Sequence, residues 1–495
     1  MKTIKSLILF LLFVNILKAQ SKNIFWERSF WKTNPTLEIV EQKIIEGNSA
    51  TALNTNGFDA IAYSILNGTS NKIIEYLLTK SDNEVNKLTH DKRTYVFWAA
   101  YKNNLDLMKH LIAKGAKMDL KDSHQFSVLT FAAAAGVTNT AVYDLCIQNG
   151  IDVKTDKDEH GANALLLIAP YLEDETLIDY FTSKGLSIHD KDADGNSIFN
   201  YAARKGNTNL LNLLIEKGVA YKSLNKQGGN AFIFATKGTR NHSNSLETYK
   251  YLEKMGLQPN IITDNGFTPL HALAYKNTDI DIFNYFIEKG GDVNQPDING
   301  NTPFINAAYR NDLKSVEYLA LHTKNFNIQN KKGISPLMRA LQSNNSKVVA
   351  FLLEKGANPQ TLDASGNSLV YYLLKSYTPK NLKEFEEKFK LLQNHELDFK
   401  GLQSKGNTIW HLAVKQHSID LLEKLETLEV PVNKRNNEGY TPLHLAAMTA
   451  KNTSVLKHLL SVGADKTIKT DFEETVYDLA RENEMLTQTN INFLR

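Results

Sequence analysis

Three histidines in one shared context are the first residues to test for chemistry. His271, His411 and His444 each follow a threonine by three residues, and a recurring histidine can indicate a metal ligand or a general base. Elsewhere in the chain the equivalent positions carry Phe97, Thr130, Asn200, Phe234, Ile305, Met338 and Tyr371. No metal-binding or acid-base chemistry tolerates that variety. The sequence therefore predicts structural histidines, with no metal and no catalytic residue among them.

An acidic stretch offers the second chemical candidate, a calcium loop. Asp190, Asp192, Asp194 and Gly195 occur at spacings found in such loops, but Tyr201 occupies the twelfth position, where a bidentate glutamate completes the site. We interpret the stretch as an acid-rich turn. The chain also lacks the motifs of nucleophilic hydrolases, P-loops, dinucleotide-binding folds and zinc proteases. We therefore predict no enzymatic activity and no cofactor.

The elements that position these residues recur with a period of 33 to 40 residues. We mark each repeat by one reference residue, called the ruler residue, which lies two positions before the threonine (or its equivalent) that begins the first helix. Glycine is favoured at this position because a tight turn often needs a positive φ. Where the ruler residue is not glycine, we expect a looser turn or another turn type. The ruler positions are Gly57, Lys92, Gln125, Gly161, Gly195, Gly229, Gly266, Gly300, Gly333, Gly366, Gly406, Gly439 and Glu473.

Residues 264–294 show what one period contains. Thr268 is a helix N-cap followed by Pro269 at the first helical position, and Gly290 and Gly291 stop a second helix. This segment's GFTPLH, and GYTPLHLAA from Gly439, resemble the ankyrin repeat with its T-P-L-H-x-A signature. The resemblance implies an all-α ankyrin-repeat solenoid of about 13 stacked helix-turn-helix units. It also implies that the motif histidine links a helix start to neighbouring backbone.

The N-terminus predicts export. Residues 1–19 combine Lys2 and Lys5 with an apolar run and a small residue, Ala19, which is typical of a signal peptide. Its removal lowers the formal net charge from +3 to zero, because Lys18 is lost as well. We expect a periplasmic or secreted protein of bacterial origin, with no membrane insertion once the signal peptide is cleaved.

The remaining chain divides into an array and two ends. We predict an N-terminal capping unit over 20–54 with an aromatic cluster around Phe25 and Trp31, an array over 55–467, and a C-terminal capping unit over 468–495. Two long intervals predict a polar loop before Gly266 and a lengthened second helix before Gly406. Pro170 predicts a first helix that ends early. The lone Cys146 is expected to be a small buried hydrophobe.

The ends of the first helices carry an uneven charge. In ankyrin arrays, by the resemblance, this helix end lines the concave groove that binds partners. Seven basic residues and no acid occur among the 24 positions that follow the first twelve ruler residues by nine and ten. One explanation is that cations favour helix C-termini. The other is a protein-binding groove, with contacts at Tyr101, Lys102, Arg204, Lys205, Tyr275, Lys276, Tyr309 and Arg310.

These observations predict a non-catalytic, monomeric protein-binding scaffold. Its partner would be one or more proteins with an acidic surface patch, such as a periplasmic or secreted enzyme, and nucleic acid is not expected because no reading motif is present. Two alternatives stay open. The protein could be an enzyme or toxin component with a site at the irregular repeats near Gly238 or Lys375, or a structural spacer of the cell envelope.

Overall fold

The computed structural model describes residues 23–495. The predicted signal peptide, residues 1–19, lies outside the described residues. Within 23–495 the regular elements are helices, accompanied by three isolated β-bridges and no strand, so the predicted all-α class is confirmed. No helix in this range is both long enough and apolar enough to cross a membrane. The chain divides into two compact units.

The first unit runs to Lys226 and adds Gly238–Asn244. Its α-helices are α1 Arg28–Lys32, α2 Leu37–Ile45, α3 Ala60–Asn67, α4 Asn71–Leu78, α5 Tyr95–Tyr101, α6 Leu105–Ala113, α7 Val128–Ala134, α8 Thr140–Gln148, α9 Ala164–Ile168, α10 Thr176–Ser183, α11 Ile198–Ala202 and α12 Thr208–Glu216. Short 3-10 helices occupy Ile24–Trp26, His90–Lys92 and Ala169–Tyr171. From α3 onward the helices form pairs, each with a first and a second member.

The second unit comprises Gln227–Lys237 and Ser245–Arg495. Its α-helices are α13 Ala231–Lys237, α14 Leu246–Lys254, α15 Pro269–Leu273, α16 Ile280–Glu288, α17 Pro303–Arg310, α18 Leu313–Ala320, α19 Pro336–Ser343, α20 Ser346–Glu354, α21 Leu369–Ser376, α22 Leu382–Asn394, α23 Ile409–Ala413, α24 Ile419–Glu426, α25 Pro442–Thr449, α26 Ser454–Ser461 and α27 Val476–Glu482. Short 3-10 helices occupy Pro379–Asn381, Ser404–Gly406, Val414–Gln416, Glu484–Leu486 and Asn492–Leu494.

Each first helix is started by a polar cap and packs on the next first helix in the unit. Thr302, in an extended conformation, accepts a hydrogen bond from the Ile305 amide at 3.3 Å, and Pro303 follows as the first helical residue. The helix α17 packs on α19, and α19 packs on α21. Fully buried side chains such as Phe304 fill the layer between the pairs. The stack therefore supplies the apolar burial that one pair lacks.

The predicted irregularities of the repeat are present. The α-helix α9 ends at Ile168, two residues before Pro170, and a polar loop joins α13 to α14. The charged segment before Gly406 makes α22, with 13 residues, the longest helix of the described part of the chain. Cys146 is fully buried, and burial raises the pKa of its thiol.

The turns that lack glycine are not looser, contrary to expectation. Gln125 has a φ of 61° and donates its amide to the Asp122 carbonyl at 3.1 Å, just as Gly161 donates to Asp158 at 3.0 Å. The Asp122 carboxylate fixes the turn, because it also accepts from the amides of His124 and Phe126. Lys92 and Glu473 are equally left-handed. Side-chain hydrogen bonds thus hold the conformation that glycine adopts at lower cost.

One ruler position is wrong by a residue. Gly228, not Gly229, has the left-handed φ, at 75°. Asn230, two residues later, caps α13 by accepting from the Phe232 amide. Two adjacent glycines hid this shift, because the sequence alone does not show which of them takes the left-handed conformation. The correction moves Lys237, the last residue of α13, to the position where Gly238 was expected.

Backbone hydrogen bonds join consecutive turns within each unit. In the first unit the Ser123 amide donates to the Asp91 carbonyl at 2.8 Å, and the Ala193 amide donates to the His160 carbonyl at 2.8 Å. In the second unit the Lys331 amide donates to Asn299 at 2.9 Å. These bonds fix the register of neighbouring repeats, so side chains at equivalent positions come to lie side by side.

Candidate functional site

The motif histidines are structural, as predicted. His271 Nδ1 accepts from the Thr268 amide at 3.1 Å, and its Nε2 lies 3.0 Å from the Asn301 carbonyl of the following repeat. Because one nitrogen accepts a hydrogen bond, the other carries the proton and donates it. His411 repeats this arrangement with the Tyr440 carbonyl at 2.9 Å, and His444 does so with Ile468 at 2.9 Å.

Burial keeps these imidazoles neutral. It lowers the pKa of His271 and of His444, and it lowers the pKa of His411 to about 4. The carbonyl that each ring binds opposes this shift without cancelling it. A neutral, fully enclosed ring with both nitrogens engaged has no free position for a metal or a substrate proton.

The acidic stretch is a turn whose carboxylates are already hydrogen-bonded. Asp192 accepts from the amides of Asp194 and Asn196 and from the Tyr201 hydroxyl, which lies 2.9 Å away. Asp190 accepts from the side chain of Asn163 at 2.8 Å. Among residues 23–495 no group of three or more histidine, cysteine, aspartate or glutamate side chains is placed to hold a metal ion.

In the first unit the predicted contact residues lie on an aromatic surface. Tyr101 is 39% exposed and stacks on Phe131, with 5.7 Å between the ring centroids. Lys205 Nζ lies over the Tyr171 ring, 5.1 Å from its centroid. Lys102 is exposed beside Tyr101. The resulting surface combines aromatic faces with cations, a composition enriched at protein interfaces.

The Tyr171 ring of this surface packs against Gly136. A Cβ atom added to Gly136 would lie 2.6 Å from the Tyr171 ring, so the ring fits there because residue 136 has no side chain. Burial raises the pKa of the Tyr171 hydroxyl, and the charge of Arg204 and the Tyr101 phenol both act on it electrostatically. These effects place Tyr101, Tyr171 and Arg204 in one neighbourhood, although they come from different repeats.

In the second unit three of the predicted contact residues are brought together. The rings of Tyr275 and Tyr309 meet edge to face, with centroids 6.4 Å apart. The Arg310 guanidinium lies over the Tyr309 ring at 5.1 Å, and the guanidinium of Arg339, from the next repeat, lies over the same ring at 5.0 Å. Tyr275 is 40% exposed, and Lys276 beside it is exposed too.

The same pattern continues on both sides of this cluster. Lys375 Nζ lies 4.5 Å from the centroid of Tyr371. Lys237, placed in the row by the corrected register, lies over Phe267 at 5.3 Å. With Lys237 included, the helix ends carry eight basic residues and still no acid in the first twelve repeats. Cations held against aromatic rings are therefore a recurring feature of this surface.

Several of these cations have no acidic partner. Within residues 23–495 Arg310, Arg339 and Lys375 form neither an ion pair nor a side-chain hydrogen bond, and Arg310 and Lys375 are exposed. By contrast, Lys289, directly after the second helix α16, pairs with Glu253 at 2.6 Å. Helix C-termini account for a preference for cations here, but not for the lack of an ion pair at these three residues.

Sequence reasoning missed five residues of these surfaces: Phe131, Phe267, Arg339, Tyr371 and Lys237. The signal for Arg339 was helical spacing. It lies six residues after its ruler glycine, one turn before the row at nine and ten, so it shares a face with the row. Lys237 was hidden by the register error. Phe131 and Tyr371 gave no signal, because an aromatic residue in a first helix can belong either to the core or to the surface.

The polar groups of the loop near Gly238 make local hydrogen bonds, and a cleft lies at the other irregular repeat. In the loop near Gly238 the Thr239 amide donates to the His242 carbonyl at 3.0 Å, and the buried Asn244 side chain binds the Ala203 carbonyl at 2.9 Å. An open cleft of about 390 Å³ lies beside α22, and its lining includes Lys347, Ala350, Glu387, Lys390 and Leu391. The lining contains no histidine or cysteine.

A sequence profile of a known family matches most of this chain. A sequence profile described as "Ankyrin repeats (3 copies)" matches residues 32–122, 199–297, 239–330, 270–363 and 364–470, which is more than half of the chain. In the solved structure of the human ASB11 ankyrin repeat domain, 23% identical, the similarity covers 45% of this chain and 96% of that one, with a TM-score of 0.39.

Three relatives illustrate the range of similar proteins. The putative ankyrin repeat protein L371 of Acanthamoeba polyphaga mimivirus is 24% identical over 76% of this chain and 48% of its own length. The E3 ubiquitin-protein ligase KEG of Arabidopsis thaliana is 23% identical over 65% of this chain and 18% of its own. A putative ankyrin repeat protein of Rickettsia bellii is 30% identical over 24% of this chain and 63% of its own. In each case this chain covers less than two thirds of the relative.

Proposed function

This chain belongs to the ankyrin-repeat family, and from that membership we propose that it is a non-catalytic scaffold that binds an acidic surface of a partner protein. The contacts are the ends of the first helices in each unit, which are exposed except at the half-buried Arg204 and Tyr309. They comprise Tyr101, Lys102, Arg204 and Lys205 in the first unit and Tyr275, Lys276, Tyr309 and Arg310 in the second. Ankyrin repeats generally act as binding modules rather than as catalysts.

The observation that carries this proposal is the cluster at Tyr309. An exposed arginine and a half-buried arginine lie over one tyrosine ring, and neither has an acidic partner within residues 23–495. A guanidinium held against a ring keeps its hydrogen-bond donors free for a carboxylate and loses little side-chain entropy on binding. Tyrosine and arginine are also the side chains that most often dominate interface energies.

A binding comparison tests the surface. The bait is the mature protein, and the test variant reverses two charges, Lys276→Glu and Arg310→Glu. The matched control reverses Lys314 and Lys347, exposed lysines on the second helices α18 and α20. We expect the test variant to lose recovery of a specific partner from cell-envelope extract by at least about tenfold, while the control retains it. If the test and control variants recover the partner equally well, the proposed binding surface is wrong.

We also propose export to the periplasm or the exterior, on the strength of the sequence of residues 1–19 alone. Fractionation of bacterial cells that express the full chain tests this, with a variant lacking 1–19 as the control. Processed protein outside the cytoplasm is the expected result, and the truncated control should stay in the cytoplasm.

Light scattering of the purified protein tests the predicted monomer. A periplasmic or secreted enzyme remains the proposed class of partner.

A further inference from the structure

Two arginines of the second unit share one tyrosine ring. Arg310 ends α17, and Arg339 belongs to α19, the first helix of the next repeat. Their guanidinium carbons lie 5.1 Å and 5.0 Å from the centroid of Tyr309, so the two carbons are at most about 10 Å apart. One oxyanion bound to both would hold them about 8 Å apart or less, because a charged N–H···O bond is about 2.8 Å long. Rotation of the exposed Arg310 side chain is enough to close that difference.

The Tyr275 hydroxyl provides a third donor beside this pair. The Tyr275 ring meets Tyr309 edge to face, with centroids 6.4 Å apart. Burial raises the pKa of the Tyr275 hydroxyl, and the charges of Arg339 and Arg310 act on it in the opposite direction. The hydroxyl therefore keeps its proton at neutral pH and lies in the neighbourhood of both guanidiniums. It makes no hydrogen bond to any residue of the described range, so its proton is available to a ligand.

Two hairpin carboxylates in this neighbourhood are already bound. Asp297 acts electrostatically on the Tyr275 hydroxyl, but its carboxylate accepts two backbone amides of its own turn at 2.8 Å each. Asp363 accepts the Tyr372 hydroxyl at 2.7 Å, together with two amides of its turn, and Arg339 acts on that hydroxyl. Neither guanidinium has an ion pair within residues 23–495. Their two positive charges are therefore left for a ligand.

The charges and donors of this group fit a phosphomonoester better than a carboxylate. Two arginines carry two positive charges, and a single carboxylate balances only one of them. A phosphomonoester carries a charge of about −1.5 to −2 at pH 7 and has three acceptor oxygens. The planar fork of a guanidinium also matches the phosphate oxygens in pairs. A phosphate thus uses both forks and the tyrosine hydroxyl, while a carboxylate leaves one positive charge unbalanced.

We propose that Arg310, Arg339 and Tyr275 bind one phosphomonoester group on a side chain of the partner protein. Tyr309 does not contact this ligand, because both guanidiniums lie over its ring. The ring instead holds the guanidiniums in place and reduces the side-chain entropy lost on binding. The site is open, since Arg310 and Tyr275 are both exposed, so the residues that flank the phosphate add contacts that a free ion lacks. This inference rests on the proposed function, which it narrows to one anionic group.

Fluorescence anisotropy on the mature full chain tests the inference with three labelled peptides. They share a glycine and alanine background and differ in the central residue, which is phosphoserine, glutamate or serine. At pH 7.5 we expect the phosphoserine peptide to bind about tenfold more tightly than the glutamate peptide, and the serine peptide to bind least. At pH 5.5 only the phosphoserine peptide should weaken, about fourfold, because its second ionisation has a pKa near 6. Equal affinities for phosphoserine and glutamate, or no binding of phosphoserine at millimolar concentration, overturn the inference.

Competition identifies the source of the phosphate. The unlabelled phosphoserine peptide should displace the labelled one at a concentration about tenfold lower than inorganic phosphate or glucose 6-phosphate requires. If either small molecule competes as well as the peptide, the site takes a free phosphate or a sugar phosphate, and the assignment to a partner side chain is overturned.

Single variants assign the contacts. Arg310→Gln and Arg339→Gln should each weaken the phosphoserine peptide about tenfold, as loss of a charged hydrogen-bond donor does. Tyr275→Phe keeps the ring but removes the hydroxyl, and should weaken the peptide about threefold. Arg339→Lys keeps the charge without the fork, so it should retain only part of the affinity. The control Lys347→Gln, on the second helix α20, should change nothing, and the two-arginine site is wrong if Arg339→Gln behaves like this control.

The outcomes separate this inference from the wider proposal. If the phosphoserine and glutamate peptides bind equally but charge reversal at Lys276 and Arg310 still abolishes recovery of the partner, the phosphate inference fails and the scaffold function stands. If the reversal leaves recovery unchanged, the proposed binding surface and the phosphate inference both fail. Where both proposals hold, phosphatase treatment of the extract should abolish recovery of the partner.

Discussion

Acidification should weaken the second unit through His411, a buried and neutral histidine. Its Nδ1 accepts from the Thr408 amide at 3.1 Å, and its Nε2 donates to the Tyr440 carbonyl at 2.9 Å. Burial lowers its pKa from 6.5 to about 4. Below pH 6.5 the unfolded chain therefore binds a proton that the folded chain does not. The free energy of unfolding should fall with pH until the folded form is protonated as well.

The magnitude follows from the size of the shift. A difference of 2.5 pKa units corresponds to about 3 kcal/mol. This contribution is fully present above pH 6.5 and is lost as the pH falls to about 4. The natural reference is Asn200, which occupies the same position and accepts from the Ser197 amide at 3.0 Å without titrating. His411→Asn should keep the helix cap but lose the bond to the Tyr440 carbonyl, at a cost of about 1–3 kcal/mol near pH 7.5.

Two measurements check this reasoning. Urea unfolding of the wild type and of His411→Asn, from pH 7.5 to 4.5, should show the stability gap between them narrowing as the pH falls. Nitrogen NMR of the imidazole should show a neutral ring with its proton on Nε2 down to about pH 4. An imidazole that titrates near pH 6.5, or a gap that stays constant with pH, would refute the account.

Three further substitutions test separate features by chemical denaturation. Gln125→Gly should stabilise the first unit by about 0.5–1 kcal/mol, because Gln125 holds a left-handed φ of 61°; an unchanged midpoint would contradict this. Gly136→Ala should cost about 2 kcal/mol, because the new Cβ would meet the Tyr171 ring at 2.6 Å at a left-handed position. Lys388 is buried, donates to the Leu341 carbonyl at 3.0 Å, and has its pKa lowered by burial. The wild type should therefore gain stability relative to Lys388→Met as the pH rises from 7 to 10, because its unfolded chain binds more protons.

The regular parts of the fold could be predicted because they are local. The first turn of a helix leaves backbone amides without a partner. Thr302 accepts a hydrogen bond from one of these amides, and Pro303 has no amide hydrogen to leave unpaired, so the helix start needs no distant residue. The same holds for the α22 extension and for the early end of α9 at Pro170. The one-residue error at Gly229 is local as well. Because Gly228 and Gly229 are adjacent, only the cap of α13 at Asn230 shows that Gly228 is the residue with the left-handed φ.

The role of the three motif histidines could be predicted only in part from the sequence. The variety of residues at the equivalent positions excluded chemistry, and the family resemblance supplied the link to neighbouring backbone. The acceptors themselves, the carbonyls of Asn301, Tyr440 and Ile468, come from 24 to 30 residues away. Their distances and the degree of burial that lowers the histidine pKa depend on how the next repeat docks.

By itself the sequence determined the all-α repeat, its period, its irregular units and the excess of cations at the first-helix ends. Those properties follow from caps, turn residues and hydrophobic periodicity within single repeats. Only the tertiary structure decided which of those cations act together. Tyr309 and Arg339 are 30 residues apart in sequence, yet docking of α19 on α17 brings the guanidinium over the ring. A spacing within one repeat cannot encode that contact, because it depends on the stagger between two packed helices.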